Sequence, residues 1–229
     1  MQAILETRAV TKVYEEGSIK VRAVDNVDLV VERGGVLLIM GPSGSGKTTL
    51  LSMMGCILRP TSGEVLIDGQ TVSGLKEAAL PDIRKKHFGF VFQAFNLFPS
   101  LRAVENIEVV LRLKGWPKAD VRPDALRLLG QVGLEKRADF YPKDLSGGEK
   151  QRVAFARALA GDPAIILADE PTANLDSKTG KEVLALLHEF ARSADKAVVI
   201  ISHDPKAEEL ADRVVHLEDG RLQGANHVI

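Results

Sequence analysis

The sequence has 229 residues, 45% of them hydrophobic and 27% charged, and a formal net charge of −1. That balance supports one large α/β domain with a packed core and excludes a chain too polar to fold. It also argues against a general nucleic-acid coat, though not against a local basic patch, and the single cysteine, Cys56, rules out an internal disulfide.

A lone thiol suits a reducing, cytosolic compartment. No apolar run approaches the ~18 residues needed to span a bilayer, and no signal-peptide pattern opens the sequence. The expectation is a cytoplasmic protein; any work on a membrane would require another chain to hold it there.

Ile4 to Tyr14 reads as a strand closed by Glu15-Glu16-Gly17-Ser18. Val21 to Val31 alternates, with Val24, Val27, Leu29 and Val31 apolar, and Arg33-Gly34-Gly35 turns it back. Tyr14 has two open readings: a platform on which a nucleobase stacks, or an ordinary half-exposed strand tyrosine.

Val36 to Met40 is an unbroken apolar run, as a buried strand would be. Next comes Gly41-Pro42-Ser43-Gly44-Ser45-Gly46-Lys47-Thr48, which fits the phosphate-binding pattern G-x-x-x-x-G-K-[ST], and Lys47 to Met54 can turn into a helix ending near Gly55. Strand, glycine-rich loop and helix in that order aim a row of backbone N–H groups and a helix N-terminus at one anion. Lys47 can reach the terminal phosphates and the Thr48 hydroxyl can ligate Mg²⁺; Thr49 is grouped with them in the same helical turn. A plain glycine-rich surface turn would need neither the lysine nor the flanking strand and helix. The motif predicts a nucleoside triphosphate site.

Pro60-Thr61-Ser62-Gly63 and Asp68-Gly69 bracket a short strand, Glu64 to Ile67. Lys76 to Asp82 reads as a helix ending in the basic group Arg84-Lys85-Lys86, better explained as a solvated turn than as a nucleic-acid or lipid patch; His87 reads as a surface residue. Phe88 to Gln93 is a strongly apolar strand with a polar end. Ligands of open α/β sheets bind beyond the carboxyl ends of the strands, so Gln93 is placed to touch a metal or water at the phosphate site. The loop Ala94 to Leu101 is unusually apolar and calls for a cover.

From Val104 to Val132 the period becomes helical, with Ala125, Leu128, Leu129 and Val132 on one stripe. Gly115-Trp116-Pro117 separates two helices, Pro123 suits a first turn and Gly133 a C-terminal cap; Trp116 reads as packing at the bend. Leu145-Ser146-Gly147-Gly148-Glu149 opens a further helix, running to about Ala160, with capping-box spacing. Glycines in a first helical turn cost roughly 1 kcal/mol each relative to alanine. A cap alone does not require them; bare backbone N–H groups at a helix start are also what an anion site needs, so a second phosphate contact is favoured over a merely well-capped helix.

Ala164 to Glu170 is a buried strand ending in two carboxylates: Asp169 is placed to hold Mg²⁺ and Glu170 to polarise an attacking water. Asn174-Leu175-Asp176 precedes a helix with Val183, Leu186, Leu187 and Phe190 on one face. Ala197 to His203 is the last parallel-type strand, with His203 at the same sheet edge as Gln93, Asp169 and Glu170. Asp204-Pro205 reads as a new helix start, Arg213 to Leu222 as a hairpin, and Gln223 to Ile229 carries no pattern.

Together these residues resemble the nucleotide-binding subunits of ABC transporters over essentially the whole chain. Leu145 to Arg152 is similar to the ABC signature, Tyr14 to the adenine-stacking aromatic and Gln93 to the Q-loop glutamine. Asp169-Glu170 are similar to the second acidic motif, Asn174-Leu175-Asp176 to the D-loop and His203 to the switch histidine, all in the family's order. The resemblance implies an α/β fold: a phosphate-loop NTPase (RecA-like) core with a mostly parallel sheet, an N-terminal antiparallel β-subdomain and an inserted helical subdomain. It would form one domain, 1–229, with its core at 1–94 and 161–229 and its helices at 95–160.

Two copies would sandwich two Mg-ATP head-to-tail, Ser146, Gly147 and Gly148 of one completing the γ-phosphate site of the other, with Asp176 also among the nucleotide-binding residues. Glu170, His203, Gln93 and Lys47 would be catalytic, and Thr48, Gln93 and Asp169 would hold the metal. Phe95 to Leu101 and Pro171 to Asp176 look most like the branch serving lipoprotein-releasing and macrolide-exporter complexes. The implied partners are a second copy and a transmembrane permease, possibly with a periplasmic or outer-membrane component, at the inner face of the membrane. Arg102 stands where the family more usually has a small polar residue and Glu149 where a glutamine is commoner. A soluble ABC ATPase acting on nucleic acid or ribosomes would be expected to show coiled-coil insertions, tandem domains or a basic face. An importer branch is a further alternative, and a non-hydrolysing scaffold would lack Glu170.

Overall fold

The computed structural model describes residues 2–17, 19–193 and 196–228. The chain forms β1 (Ala3–Glu16), β2 (Ile19–Glu32), β3 (Val36–Met40), α1 (Lys47–Met54), β4 (Ser62–Ile67), β5 (Gln70–Thr71), α2 (Leu80–His87) and β6 (Phe88–Val91). It continues through α3 (Ala103–Leu113), α4 (Lys118–Gln131), α5 (Gly147–Leu159), β7 (Ile165–Asp169), α6 (Ser177–Arg192), β8 (Ala197–Ser202), β9 (Arg213–Glu218) and β10 (Arg221–Val228).

The apolar runs of β3, β7 and β8 are buried almost throughout, as strands covered on both faces must be. They form the middle of a six-stranded sheet, ordered β10-β9-β3-β8-β7-β6. All its neighbours are parallel except β9 and β10. A second sheet, β2-β1-β4-β5, is antiparallel throughout.

Because side chains alternate along a strand, consecutive residues of β3 enter different cores. Ile39 joins Ile4, Val27, Leu50 and Met54 between the two sheets. Leu38 joins Ile107, Leu129, Phe155 and Leu187 under the helices. The helical stripe read from the sequence is therefore one wall of a core whose other wall is the parallel sheet. The α/β fold with its parallel core, antiparallel β-subdomain and inserted helices is as the sequence implies.

Several boundaries differ from expectation. The helix assigned to Lys76–Asp82 lies later: a 3₁₀ turn, Glu77–Ala79, leads into α2, whose start is set by Pro81. The basic group is thus its last turn, where cations complement the helix dipole, and Arg84 donates to the Cys56 carbonyl at 2.7 Å. Pro123 is not in a first turn. Helix α4 begins at Lys118 because Pro117 already breaks the chain there, so Pro123 sits inside it and forfeits one backbone bond. Strand β6 stops at Val91, leaving Gln93 in the loop beyond it, and Pro205–Leu210 is a 3₁₀ segment rather than an α-helix. The patternless tail continues as β10 to Val228, paired back onto β9; Ser18 and Ile229 lie outside the described residues.

Candidate functional site

The site begins where β3 ends. Gly46 precedes α1 in the left-handed region, φ 100°, and no side chain caps the helix. A Cβ there would overlap the Ala23 carbonyl oxygen, so glycine is required by conformation and by space. The first N–H groups of α1 have no acceptor within the helix and are free for an anion. Lys47 Nζ folds back over the loop, donating to the Gly41 carbonyl at 2.7 Å and that of Pro42 at 2.9 Å. The loop is also propped from the β9–β10 turn: Gly220 N–H donates to the Ser45 carbonyl at 3.0 Å, and the Gly220 carbonyl accepts from Asp25 N–H at 2.8 Å. Arg221 and Arg22 flank the Asp25 carboxylate, and the Arg221 bond is the main cause holding it below the usual carboxylate range.

Over the loop lies a cavity of about 580 Å³ lined by Pro42 to Thr49 together with Ala23, Gln93, Asp169, Glu170 and His203. Strands β6, β7 and β8 are adjacent and parallel, so the residues just past their carboxyl ends arrive at one place. Burial pushes the Asp169 carboxyl above its usual range and the neighbouring Glu170 charge adds to that, against a hydrogen bond from Thr48 and the Lys47 charge. A Thr48 hydroxyl, an Asp169 carboxylate and a Gln93 amide oxygen in one cavity are hard oxygen donors of the kind Mg²⁺ takes. Among the described residues no cluster of acidic, histidine or cysteine side chains could hold a metal by itself.

Glu170 has φ 45°, the left-handed region, and its N–H donates to the Ile201 carbonyl at 3.0 Å. Strained backbone of this kind persists where the surroundings fix it. Its Oε1 lies 2.8 Å from His203 Nδ1, and Ser202 Oγ donates to its Oε2 at 3.3 Å. Two neighbours at the β8 end thereby hold the carboxylate in the wall of the cavity.

Other expected site residues stand apart. Tyr14, on β1 opposite Val21 of β2, is 43% exposed, with Lys12 Nζ 5.4 Å above its ring. It does not line the cavity, and neither do Ser146, Gly147, Gly148 and Asp176. Ser146 caps α5: Glu149 N–H donates to its Oγ at 3.2 Å, while Ser146 N–H donates to Glu149 Oε2 at 2.8 Å. That bond, reinforced by Arg137 at 2.8 Å, draws the Glu149 carboxyl below its usual range. Gly148 packs on Thr179, where a Cβ would overlap the threonine methyl. Asp176 caps α6, accepting from Thr179 Oγ1 at 2.7 Å and from the Lys178 and Thr179 N–H groups.

Three contributions were not foreseen from sequence, although Asn174 itself was singled out by the D-loop resemblance. Ser202 orients Glu170; a hydroxyl ending an otherwise apolar strand was the available signal. Asn174 Nδ2 donates to the Gln93 carbonyl at 2.8 Å, joining two loops 81 residues apart; nothing local marks that. Arg157, an arginine within the apolar run of α5, donates to the carbonyls of Phe95 (2.9 Å) and Asn96 and so fixes the loop beyond Gln93. Beside that loop is a groove of about 270 Å³, walled by Phe90, Phe92, Val110 and Leu113, with Phe98 48% exposed at it.

Residues 24–173 match the family model described as ABC transporter. The chain is 43% identical over 222 residues to a lipoprotein-releasing system ATP-binding protein, LolD, of Bordetella avium, covering 97% of this chain and 96% of that one. It is 40% identical to a macrolide export ATP-binding/permease protein, MacB, of Photorhabdus laumondii, covering 97% of this chain and 34% of that longer protein. The structure superposes on the dimeric, post-hydrolysis ATP-binding cassette MJ0796 bound to ADP and Pi with a TM-score of 0.91, at 42% identity and 98% coverage of both chains; MJ0796 belongs to Methanocaldococcus jannaschii. The phosphate loop, the carboxylates and histidine beyond the parallel strands and the capped glycine helix start thus sit on a fold shared almost end to end with ATP-binding cassettes. The chain belongs to the ABC transporter family, as an ATP-binding and ATP-hydrolysing subunit.

Proposed function

We propose that two copies of this chain close head-to-tail over two Mg-ATP and so drive a separate membrane permease of the lipoprotein-releasing or macrolide-export type. The observation that carries this reading is the split of the anion-binding parts. The phosphate loop, Gln93, Asp169, Glu170 and His203 share one cavity, whereas Ser146-Gly147-Gly148 begins another helix outside it. A second copy supplies the missing half, and the dimeric cassette of similar fold supports the arrangement.

In this reading Lys47, Gly41 to Thr49 and the bare start of α1 bind the phosphates, and Tyr14 stacks the base. Thr48, Asp169 and Gln93 hold Mg²⁺, which when bound neutralises charge developing on the phosphates. Glu170 accepts the proton of the attacking water while His203 and Ser202 keep its carboxylate in place. Ser146, Gly147, Gly148 and Asp176 act on the nucleotide of the facing copy.

Residues 95–160 form the helical unit, and the groove at Phe98 receives a cytoplasmic segment of the permease. In this reading the permease holds the chain at the inner face of the cell membrane; among the described residues no helix is long and apolar enough to cross. The lipoprotein-releasing and macrolide-export relatives, one of them an ATP-binding/permease fusion, favour this branch over an importer. Size-exclusion chromatography of Glu170→Gln with Mg-ATP tests the reading: it expects a dimer that does not turn over, and a monomer would overturn it.

A further inference from the structure

The groove at Phe98 contains two positive charges that no carboxylate among the described residues pairs with. Lys114 follows α3 with its stem against Gly161, and its Nζ is buried without a hydrogen bond. The acid that attracts it, Asp162, is already paired with Lys196 at 2.8 Å, and Lys196 in turn repels it. Burial pushes the Lys114 ammonium down to about 8. Arg157 donates only to the carbonyls of Phe95 and Asn96; burial alone lowers its pKa, with no acid opposing. Both side chains line the same groove, and no acidic residue does.

An uncompensated buried ammonium is costly, and a methionine or leucine would fill the same volume without that cost. Here the two cations, one just past α3 and one on α5, line a groove whose other walls are aromatic and aliphatic apart from Gly89 and Asn96. Lys114 also lines a neighbouring cavity, but the acid there, Asp82, is paired with Lys85 at 2.6 Å, which leaves the groove's occupant to supply a counter-charge.

We propose that the permease segment received by this groove carries a carboxylate, aspartate or glutamate, that pairs with Lys114 beside Arg157, its apolar neighbours lying on Phe90, Phe92 and Phe98. This rests on the docking reading above. It adds the chemistry of the docking segment: an acidic side chain within an apolar turn, so that charge selects the partner and its register while apolar burial supplies area.

The test uses the full chain produced together with its permease in membranes, with the photoreactive benzoylphenylalanine in place of Leu113, which is 65% exposed beside Lys114. Irradiation and mass spectrometry identify the captured peptide. The expected adduct is a segment of a multi-spanning membrane protein with an Asp or Glu within one helical turn of the attachment point. Its yield should fall about tenfold in Lys114→Glu and return when that acid is changed to lysine. Lys114→Met, which keeps the stem that packs on Gly161, should lose yield similarly while the chain keeps a cooperative thermal transition. A permease segment with no acid in that turn, or a yield indifferent to both Lys114 variants, overturns this inference and leaves the docking reading standing. Capture of a lipid, of another class of protein or of nothing overturns the docking reading and this inference with it.

Discussion

The chain has two helices that open on glycine, α1 after Gly46 and α5 at Gly147, and they are finished in opposite ways. Helix α1 has no side-chain cap; its N-terminus faces a cavity of about 580 Å³ that also gathers Gln93, Asp169, Glu170 and His203. Helix α5 carries a complete capping box from Ser146 and Glu149, braced by Arg137, and lines no part of that cavity. An uncapped start tolerates isolation because its ligand arrives as the cap. The capped start keeps the N–H groups of Gly147 and Gly148 open, which in the reading proposed above serve the facing copy.

The sharpest way to break this contrast is Glu170→Gln. Hydrolysis should fall about 10²–10⁴-fold, with an ATP-dependent dimer accumulating; unchanged turnover would mean that the carboxylate held by His203 and Ser202 is not the base. Next in size is a mixing experiment. Lys47→Ala disables the uncapped half, and Gly147→Asp places a negative charge at the capped half, where a Cβ meets only ordinary contacts with Asn174 and Leu175. Each variant alone should be inactive, whereas an equal mixture should recover up to about a quarter of normal activity, because half of random dimers are mixed and each has one intact site of two. No recovery on mixing would count against a site shared between copies.

Phe98→Ala should reduce the permease co-purified from membranes severalfold, read by quantitative mass spectrometry, with hydrolysis by the isolated chain nearly unchanged. Gly148→Ala sharpens the capped side: the new methyl must displace Thr179 from Asp176, costing about 1–3 kcal/mol in urea unfolding. Lys114→Met shifts stability in the opposite direction. Lys114 sits near 8 in the folded chain against an ordinary 10.5, with Asp162 raising it and burial and Lys196 lowering it. Between those values the unfolded chain binds more protons, so this residue makes stability rise with pH. The methionine variant should therefore gain stability at pH 7, and the gain should shrink toward pH 10.5.

The parallel core was readable because β3, β7 and β8 are unbroken apolar runs followed by polar residues, and a parallel sheet brings such ends together whatever the chain does between them. Glu170, His203 and Gln93 were accordingly located by edge position alone, and their shared cavity follows from strand order. What sequence concealed depends on partners distant in the chain. Pro117, not Pro123, sets the start of α4, because a proline anywhere in a first turn looks the same until packing chooses. The Asn174–Gln93 bond and the Gly220 prop under Ser45 have no periodic trace. The unpaired Lys114 could not be seen either, since its isolation is a matter of where Asp162 and Lys196 end up.

The order of strands has a consequence for biosynthesis. Strand β3, which leads into the phosphate loop, is made early, yet its two neighbours in the sheet are β8 and β9, and the peptide that props Ser45 is that of Gly220. While the ribosome is still short of residue 197 the loop's own strand has no sheet to join, and the loop lacks its prop until the chain has passed Gly220. A chain short of Ala197 thus lacks both the sheet neighbours and the backbone bond that hold the phosphate loop in the folded protein.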